Sequence, residues 1–172
     1  KTCDGKGKIR RQKTIEISVP AGIDDDQILN VGGKGNAGSN GGPNGDLHVY
    51  ITVRPHAIFT RRGNDVWCDM PITFTQAALG AEVTVPTLDG KVSYTVHEGT
   101  QPGDVFKLKG KGIQNINGRG RGDQYVRVTV EVPKNLSKRQ KELLQEFEQN
   151  ADEKNYQKRK SFFGKIKGMF ED

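Results

Sequence analysis

Few residues in this chain have the types and spacing that metal binding requires. Cys3 opens the pattern Cys-x-Gly-x-Gly, whose glycines bend the chain directly after a thiolate that could bind a metal. Zinc is held by four ligands in a tetrahedron, and the second cysteine, Cys68, lies far along the chain. Asp24, Asp25 and Asp26 form an acidic run without the spacing or final glutamate of a calcium loop. Alone, these residues predict a spare thiol and a solvated turn.

No combination of residues in the sequence predicts catalysis. The histidines, at positions 48, 56 and 97, have no cysteine or glutamate at a ligand or triad spacing, and no serine lies in a nucleophile elbow. A phosphate loop requires Gly-Lys followed by Ser or Thr, whereas the Gly-Lys pair at 33–34 is followed by glycine. The sequence therefore favours a binding protein over an enzyme.

A repeat of 77 positions organises the elements that must position any site. The equivalent segments are 33–35 and 110–112, 45–46 and 122–123, and 49–53 and 126–130. Matching glycines imply matching demands on the backbone, and matching apolar alternation implies matching half-buried strands. The repeat therefore predicts two copies of one β-rich module. The region 57–97 precedes only the second copy, so we expect the first copy to lack its opening half.

The alternation of apolar residues predicts a mainly β fold. We expect strands at 13–20, 27–31, 47–53, 65–70, 82–85, 91–96, 104–109 and 123–132, with a short helix at 76–79 that ends at Gly80. Hydrophobic residues make up 33% of the chain and charged residues 28%, so each core must be thin. Thin cores fit small sheets packed in two layers, which predicts two tandem β-sandwich domains.

A helical tail follows Pro133. Ser137 and Gln140 form a capping box, and the apolar stripe that follows consists of Leu136, Leu143, Leu144 and Phe147. So narrow a stripe on a terminal helix needs a partner surface, on its own domain or on another subunit. Residues 150–160 are predicted to be a polar linker, and a second amphipathic segment with Phe162, Phe163, Ile166, Met169 and Phe170 opens at Ser161. A membrane surface could bind this basic segment, but its two glycines favour docking on protein.

The net charge of +6 leaves nucleic-acid binding open as an alternative. A basic β-rich module of this kind would use Lys107, Lys109, Lys111, Arg119 and Arg121. Its affinity would fall steeply with salt concentration, unlike the affinity for an apolar ligand. Two cysteines without a disulfide framework, and the lack of a signal peptide or long apolar stretch, favour a cytoplasmic location. The first residue is lysine, which suggests a fragment of a longer protein.

Several motifs along the chain together resemble the type I DnaJ co-chaperones. They are Cys-Asp-Gly-Lys-Gly at 3–7, Val-Pro-Ala-Gly-Ile at 19–23, Gly-Asp-Leu at 45–47, Arg-Pro-His-Ala-Ile-Phe at 54–59, Ala-Ala-Leu-Gly at 77–80, Val-Pro-Thr-Leu-Asp-Gly at 85–90 and Gly-Lys-Gly at 110–112. The resemblance implies the end of a cysteine-rich zinc region at 1–12, the remainder of a client-binding β-domain at 13–55, a second β-domain at 56–133 and a dimerisation tail at 134–172. We call residues 13–55 the first module and residues 56–133 the second module.

The resemblance also implies a cofactor and partners. Cys3 would be a zinc ligand in the intact protein, whereas this fragment is not expected to bind zinc. The intact protein would deliver unfolded or partly folded clients to the chaperone DnaK. The J-domain that stimulates DnaK lies outside this sequence, so the fragment is not expected to activate it. Neither nucleic acid nor a membrane is an expected partner.

The client would lie along the first module. An unpaired strand edge can accept an extended peptide while apolar pockets take alternate side chains. The family's client pocket maps onto Ile15 and Val49 first, and onto Ile17 and Ile51 second. The alternative is that all four are ordinary core residues. Dimerisation is expected through the tail residues Leu143, Leu144 and Phe147.

Overall fold

A computed structural model describes residue 9 and residues 11–169, apart from the side-chain environment of residues 167–169. The chain divides into two compact units, Lys1–Glu131 and Val132–Asp172. The first unit contains strands β1 Ile28–Val31, β2 Leu47–Tyr50, β3 Thr60–Arg62 and β4 Asp65–Thr73, helix α1 Phe74–Leu79, and strands β5 Ala81–Thr87, β6 Gly90–Val96, β7 Val105–Leu108 and β8 Gln124–Glu131. The second contains α2 Lys138–Asn150, a 3-10 turn Glu153–Asn155 and α3 Gln157–Met169. The mainly β architecture is confirmed.

Three antiparallel or mixed sheets make up the first unit. β1 and β2 form a two-stranded sheet, β5 and β6 form another, and the largest has the order β3-β4-β8-β7. Its centre is the parallel pair β4 and β8, in which Val66 lies opposite Gln124 and Cys68 opposite Val126. A parallel pair requires a long crossover connection, and residues 74–123 supply it here.

The position of β4 at the centre of the sheet is compatible with Pro71. Proline cannot donate a ladder hydrogen bond and is found on strand edges. β3 pairs only with the first part of β4, as far as Trp67, and β8 pairs with the other side. Pro71 therefore lies beyond the end of β3, on an edge of β4 that has no ladder to complete.

The hydrophobic core of the first unit lies in the second module. Cys68, Met70, Ile72, Ala77, Val85, Val96, Val126 and Val128 form one buried cluster, to which β4, α1, β5, β6 and β8 contribute. The side-chain amide of Gln124 is also buried, and it donates a hydrogen bond to the Pro86 carbonyl at 2.8 Å. In the first module every described residue is at least partly exposed, because β1 and β2 alone form its sheet. The separation of the two modules into domains stays a prediction.

The 77-residue repeat is present in the strand register. Ile28 lies opposite Tyr50 and Leu29 opposite Val49 in the first copy. Val105 lies opposite Arg127 and Phe106 opposite Val126 in the second. Every pair is shifted by the same 77 positions, so β1 and β2 correspond to β7 and β8.

The predicted strand at 13–20 does not form a ladder. Ile15 and Ile17 are half-buried and Glu16 is exposed, as the alternation predicts, but Val19 on the same face is exposed. The equivalent segment of the second copy is β6, which is a strand because β5 pairs with it along its whole length. The residues equivalent to β5 are 4–10, where glycines and lysines replace the alternating apolar pattern. Residues 13–20 therefore have no partner strand within the described part of the chain.

Two further elements differ from the sequence-based expectation. The alternation did not predict β3, since its inward residue is Arg61, not an apolar side chain. α3 begins at Gln157, four residues before the expected start at Ser161, and part of the predicted linker is the 3-10 turn. Lysine, arginine and glutamine favour helix, so polar residues can open one. Phe170 and Cys3 lie outside the described residues.

Candidate functional site

The turn that precedes β2 in the first copy of the repeat is built in the same way as the turn that precedes β8 in the second copy. The Asp46 carboxylate accepts a hydrogen bond from the Gly33 N–H at 2.9 Å, and the Asp123 carboxylate accepts one from the Gly110 N–H at 2.7 Å. Both glycines have positive φ, 64° and 68°. The turn therefore requires glycine at these positions and a carboxylate at the start of the strand.

These hydrogen bonds also stabilise the charged form of each carboxylate. The Gly33 N–H, together with the Asn30 amide, lowers the pKa of Asp46 below its ordinary value. The Gly110 N–H, and next the Lys107 ammonium at 3.2 Å, lower the pKa of Asp123. The two carboxylates thus act as anionic anchors that set the start of β2 and of β8.

The predicted client residues fall into two groups. Val49 is half-buried at the centre of β2, and Ile51 follows the end of that strand on the same face. The Ile51 N–H donates to the Gln27 carbonyl at 2.9 Å, so the chain stays beside the start of β1. Ile15 and Ile17 share one half-buried side of the segment that forms no strand. All four side chains are partly accessible, and their role in client binding stays a prediction.

Arg61 joins the first module to the second, and no pattern in the sequence indicated this role. Its guanidinium donates to the carbonyls of Ile23 at 2.7 Å and Gly22 at 3.0 Å, and its Nε donates to the Gly63 carbonyl at 2.8 Å. At Gly22 a Cβ would lie 2.0 Å from the Gln114 carbonyl oxygen. The turn at Gly22 is therefore held between β3 and the loop that precedes β8.

The tail helix α2 exposes its predicted dimerisation residues. Ser137 and Gln140 form the expected capping box. Leu143, Leu144 and Phe147 are 47%, 36% and 49% exposed. Further along, Phe162 and Phe163 are also exposed and lie edge to face, with ring centroids 5.5 Å apart. The second unit thus presents apolar surface on both helices.

Three of the five basic residues behind the nucleic-acid alternative lie beside carboxylates. Arg121 lies 2.7 Å and Lys111 3.8 Å from the Asp89 carboxylate, and Lys107 lies 3.2 Å from Asp123. The Arg121 guanidinium lowers the pKa of Asp89, which keeps its negative charge in place. Carboxylates beside these cations reduce the positive potential that would attract phosphates. This arrangement argues against the alternative.

The described residues do not fit a zinc site. No group of three histidine, cysteine or acidic residues within residues 9 and 11–169 is placed to hold a metal ion. Cys68 is buried against the Gln124 amide, and this burial raises the pKa of its thiol, which opposes the thiolate form that zinc binds. In the same part of the chain, no helix has both the length and the apolar character needed to span a membrane.

Comparison with known proteins agrees with this geometry. Residues 2–133 match the family model described as DnaJ C terminal domain, and residues 139–172 match the one described as Chaperone protein DnaJ C-terminal region. The chain is 59% identical to the Chaperone protein DnaJ of Ruminiclostridium cellulolyticum, covering 99% of this chain and 49% of that protein. It is 53% identical to the protein of the same name from Acetivibrio thermocellus, with coverages of 96% and 43%.

A third relative, the Chaperone protein DnaJ of Halalkalibacterium halodurans, is 52% identical over 98% of this chain and 46% of its own length. The chain thus spans somewhat less than half of the relatives it matches. The family model covers the whole repeat, including the anchored turns and both pairs of repeat strands. The chain therefore belongs to the DnaJ C-terminal domain family.

Proposed function

We propose that this chain is the part of a DnaJ co-chaperone that holds unfolded polypeptide, and that it has no catalytic activity. Three relatives named Chaperone protein DnaJ support the chaperone role. The observation that carries the proposal is the position of Val49. It is half-buried on β2 beside β1, whose outer edge is unpaired among the described strands, as is the outer edge of the equivalent β7 in the complete second copy. An extended client can add to such an edge whatever its sequence.

The client groove would combine β2 with the segment before β1. Val49 and Ile51 supply apolar surface beside the open edge, and Ile15 and Ile17 supply a second half-buried row. Side chains of an added strand alternate, so every second client residue would meet this surface. Backbone pairing gives the affinity and the apolar rows give a preference for hydrophobic clients.

Dimerisation through α2 would place two such grooves on one particle. The stripe Leu143, Leu144 and Phe147 is exposed enough to be covered by a second copy. Linking two weak sites raises the overall affinity by an effective-concentration gain, often ~10²-fold when both sites engage. A dimer would therefore hold long unfolded chains better than short ones.

The remaining partners belong to the whole protein. We place this protein in the cytoplasm, where it would deliver clients to DnaK, and we assign Cys3 to a zinc site of the intact protein. Zinc would stabilise the fold around its ligands when bound. Neither nucleic acid nor a membrane is part of the proposed function.

The deciding experiment is suppression of the aggregation of a chemically denatured client protein. The variant Ile15→Asp, Val49→Asp places charge on both apolar rows and should lose most of the suppression. Its control is Ser18→Asp, Tyr50→Asp, which adds the same two negative charges to the same two segments but at exposed positions. Circular dichroism and thermal unfolding of each variant establish that the fold is intact.

Two results would contradict the proposal. Equal suppression by the double variant and the wild type would remove the groove from client binding. Suppression that vanishes steeply as salt rises, with matching affinity for a DNA oligonucleotide, would favour the nucleic-acid alternative. Apolar client binding should change little between low and moderate salt.

A further inference from the structure

Asparagine is followed by glycine at three places in the chain, Asn40-Gly41, Asn44-Gly45 and Asn117-Gly118. Asparagine is a thermolabile residue, and glycine has no Cβ to hinder the approach of its own backbone nitrogen to the preceding side chain. All three pairs are exposed and lie in the glycine-rich loops that precede β2 and β8. The sequence alone makes the three pairs equally reactive, whereas their hydrogen bonds in the folded chain differ.

The reaction that such a pair undergoes is intramolecular, so its rate depends on local geometry. The glycine nitrogen loses its proton and attacks the side-chain carbonyl carbon of the asparagine. The new C–N bond closes an imide ring, and the side-chain nitrogen leaves as ammonia. Water then opens the imide at either carbonyl, which gives aspartate or β-linked isoaspartate. The net change is hydrolysis of one amide by one water molecule, and each conversion lowers the net charge of +6 by one.

Hydrogen bonds hold both reacting groups of the Asn44-Gly45 pair. The Gly45 N–H, which would have to attack, donates to the Asn36 carbonyl at 2.9 Å. The Asn44 side-chain amide, which would have to leave, donates to the Gly33 carbonyl at 3.3 Å. The Gly45 carbonyl also accepts a hydrogen bond from the Gly35 N–H at 2.7 Å. Imide formation at Asn44 therefore requires the anchored turn before β2 to open.

The reacting groups of the Asn40-Gly41 pair, at the tip of the same loop, are not held in this way. The Gly42 N–H donates to the Ser39 carbonyl at 3.0 Å and closes a turn in which Asn40 and Gly41 have φ of 51° and 77°. Within residues 9 and 11–169, neither the Asn40 side chain nor the Gly41 N–H forms a hydrogen bond. A Cβ added at Gly41 would meet no atom within 4 Å, so the loop has room for the imide ring.

The 77-residue repeat places a second pair at the same loop position, because Asn117-Gly118 corresponds to Asn40-Gly41. The Asn117 N–H donates to the Asn115 side chain at 3.1 Å, and this bond uses neither reacting group. The Asn117 side chain and the Gly118 N–H have no hydrogen bond among the described residues. The atom nearest to a Cβ added at Gly118 is the Asn115 side-chain nitrogen, at 3.2 Å, which is not backbone. The second pair is therefore also free to react.

We propose that Asn40 and Asn117 are sites of spontaneous deamidation, one in each module, and that the anchored turn protects Asn44. Conversion places a new carboxylate at the tip of each loop. The isoaspartate product also lengthens the backbone by one methylene group, which breaks the turn closed by Ser39 and Gly42. The extent of conversion at the two sites then records how long a folded chain has existed. The proposal does not depend on client binding.

Peptide mapping by mass spectrometry tests the proposal on the full chain, incubated at mildly alkaline pH in water enriched in a heavy oxygen isotope. The label enters with the water that opens the imide, so it marks each converted asparagine. Asn40 and Asn117 should convert, and Asn44 should convert about thirtyfold more slowly, the factor expected from two hydrogen bonds of ordinary strength. The chain unfolded in urea is the control, and there all three pairs should react at similar rates.

Two variants test the physical cause of the difference. Gly118→Ala adds a Cβ beside the attacking nitrogen, so it should slow the conversion of Asn117 several-fold while Asn40 keeps its rate. Asp46→Ala removes the carboxylate that anchors the turn before β2, so it should speed the conversion of Asn44 several-fold while Asn117 keeps its rate.

Three results would overturn the proposal. The first is conversion of Asn44 in the folded chain as fast as that of Asn40. The second is a lack of conversion at Asn40 and Asn117 over the time in which the urea-unfolded chain converts all three pairs. The third is an equal rate at Asn117 in Gly118→Ala and the wild type, which would exclude the imide route. Gly118 lies outside the buried cluster, so this result stands even if Asp46→Ala unfolds the first module.

Discussion

Replacing Arg61 with alanine should detach the turn at Gly22 and Ile23 from strand β3. The arginine donates three hydrogen bonds to backbone carbonyls, at 2.7, 2.8 and 3.0 Å, from a side chain that is only 22% exposed. A net contribution of about 1 kcal/mol for each bond gives a loss of about 3 kcal/mol in the free energy of unfolding. The ion pair with Asp24, at 3.4 Å, is partly exposed and adds less than about 1 kcal/mol.

Urea unfolding followed by circular dichroism would measure this loss. Arg62→Ala is the matched control, because the side chain of this neighbouring arginine lies over the Trp67 ring, 4.6 Å from its centroid. A cation–π contact of this kind contributes about 0.5–1 kcal/mol at an exposed site. Arg61→Lys should recover little, since an ammonium cannot reproduce a planar fork that serves several carbonyls.

Two outcomes would refute the reasoning about Arg61. A loss below about 0.5 kcal/mol in Arg61→Ala would mean that water replaces the guanidinium at no cost. Full recovery by Arg61→Lys would mean that charge alone matters, and that the geometry of the three hydrogen bonds does not. Amide hydrogen exchange in the turn would then also be unchanged. If the hydrogen bonds from Arg61 hold the turn, exchange in residues 20–24 should be faster in Arg61→Ala than in the wild type.

Three further predictions concern the tail, the anchored turns and a close backbone approach. Phe147→Asp should convert a dimer into a monomer in sedimentation velocity without changing the circular dichroism spectrum of the β region; an unchanged dimer would exclude α2 from the interface. Asp123 has a lowered pKa in the folded chain, so its stabilising effect is complete well above 3.8 and is lost as pH falls below that value. Asp123→Asn should therefore flatten the acid side of the stability profile in urea unfolding. Gly112→Ala would place a Cβ 2.6 Å from the Asn64 carbonyl oxygen and should cost about 3 kcal/mol in the same assay. Gly118→Ala would place a Cβ 3.2 Å from the side-chain nitrogen of Asn115, which is not backbone, and should cost much less.

The sequence predicted most of the strands because their information is local or repeated. Val66 to Ile72 alternate buried and outward positions, and the Gly80 terminator and the Ser137 capping box depend on neighbouring residues alone. The repeat added long-range information, since one shift relates both pairs of strands. The segment at 13–20 shows the limit of such patterns. Its alternation indicates an extended chain, but a β-strand also needs a partner strand. Alternation within one segment carries no information about whether such a partner is present.

The site was harder to predict than the fold for two physical reasons. Arg61 acts through backbone carbonyls, which every residue possesses, so its partners leave no trace in the sequence. The stacked rings of Tyr94 on β6 and Phe106 on β7 lie beside an open groove of about 270 Å³, whose shape depends on how these two strands pack. Alternation predicts which side chains point inward, but it does not predict how close two unpaired strands approach. Such information exists only in the packed structure.

The parallel pairing of β4 with β8 affects how the chain folds while it is being synthesised. Val66 and its partner Gln124 are 58 positions apart, and β4 leaves the ribosome first. At roughly 10 residues per second, translation takes about 6 s to supply the missing partner. During that interval the β5–β6 hairpin can form, whereas the hydrophobic face of β4 stays exposed. A nascent copy of this chaperone segment is therefore itself an unfinished chain of the kind that we propose the mature one protects.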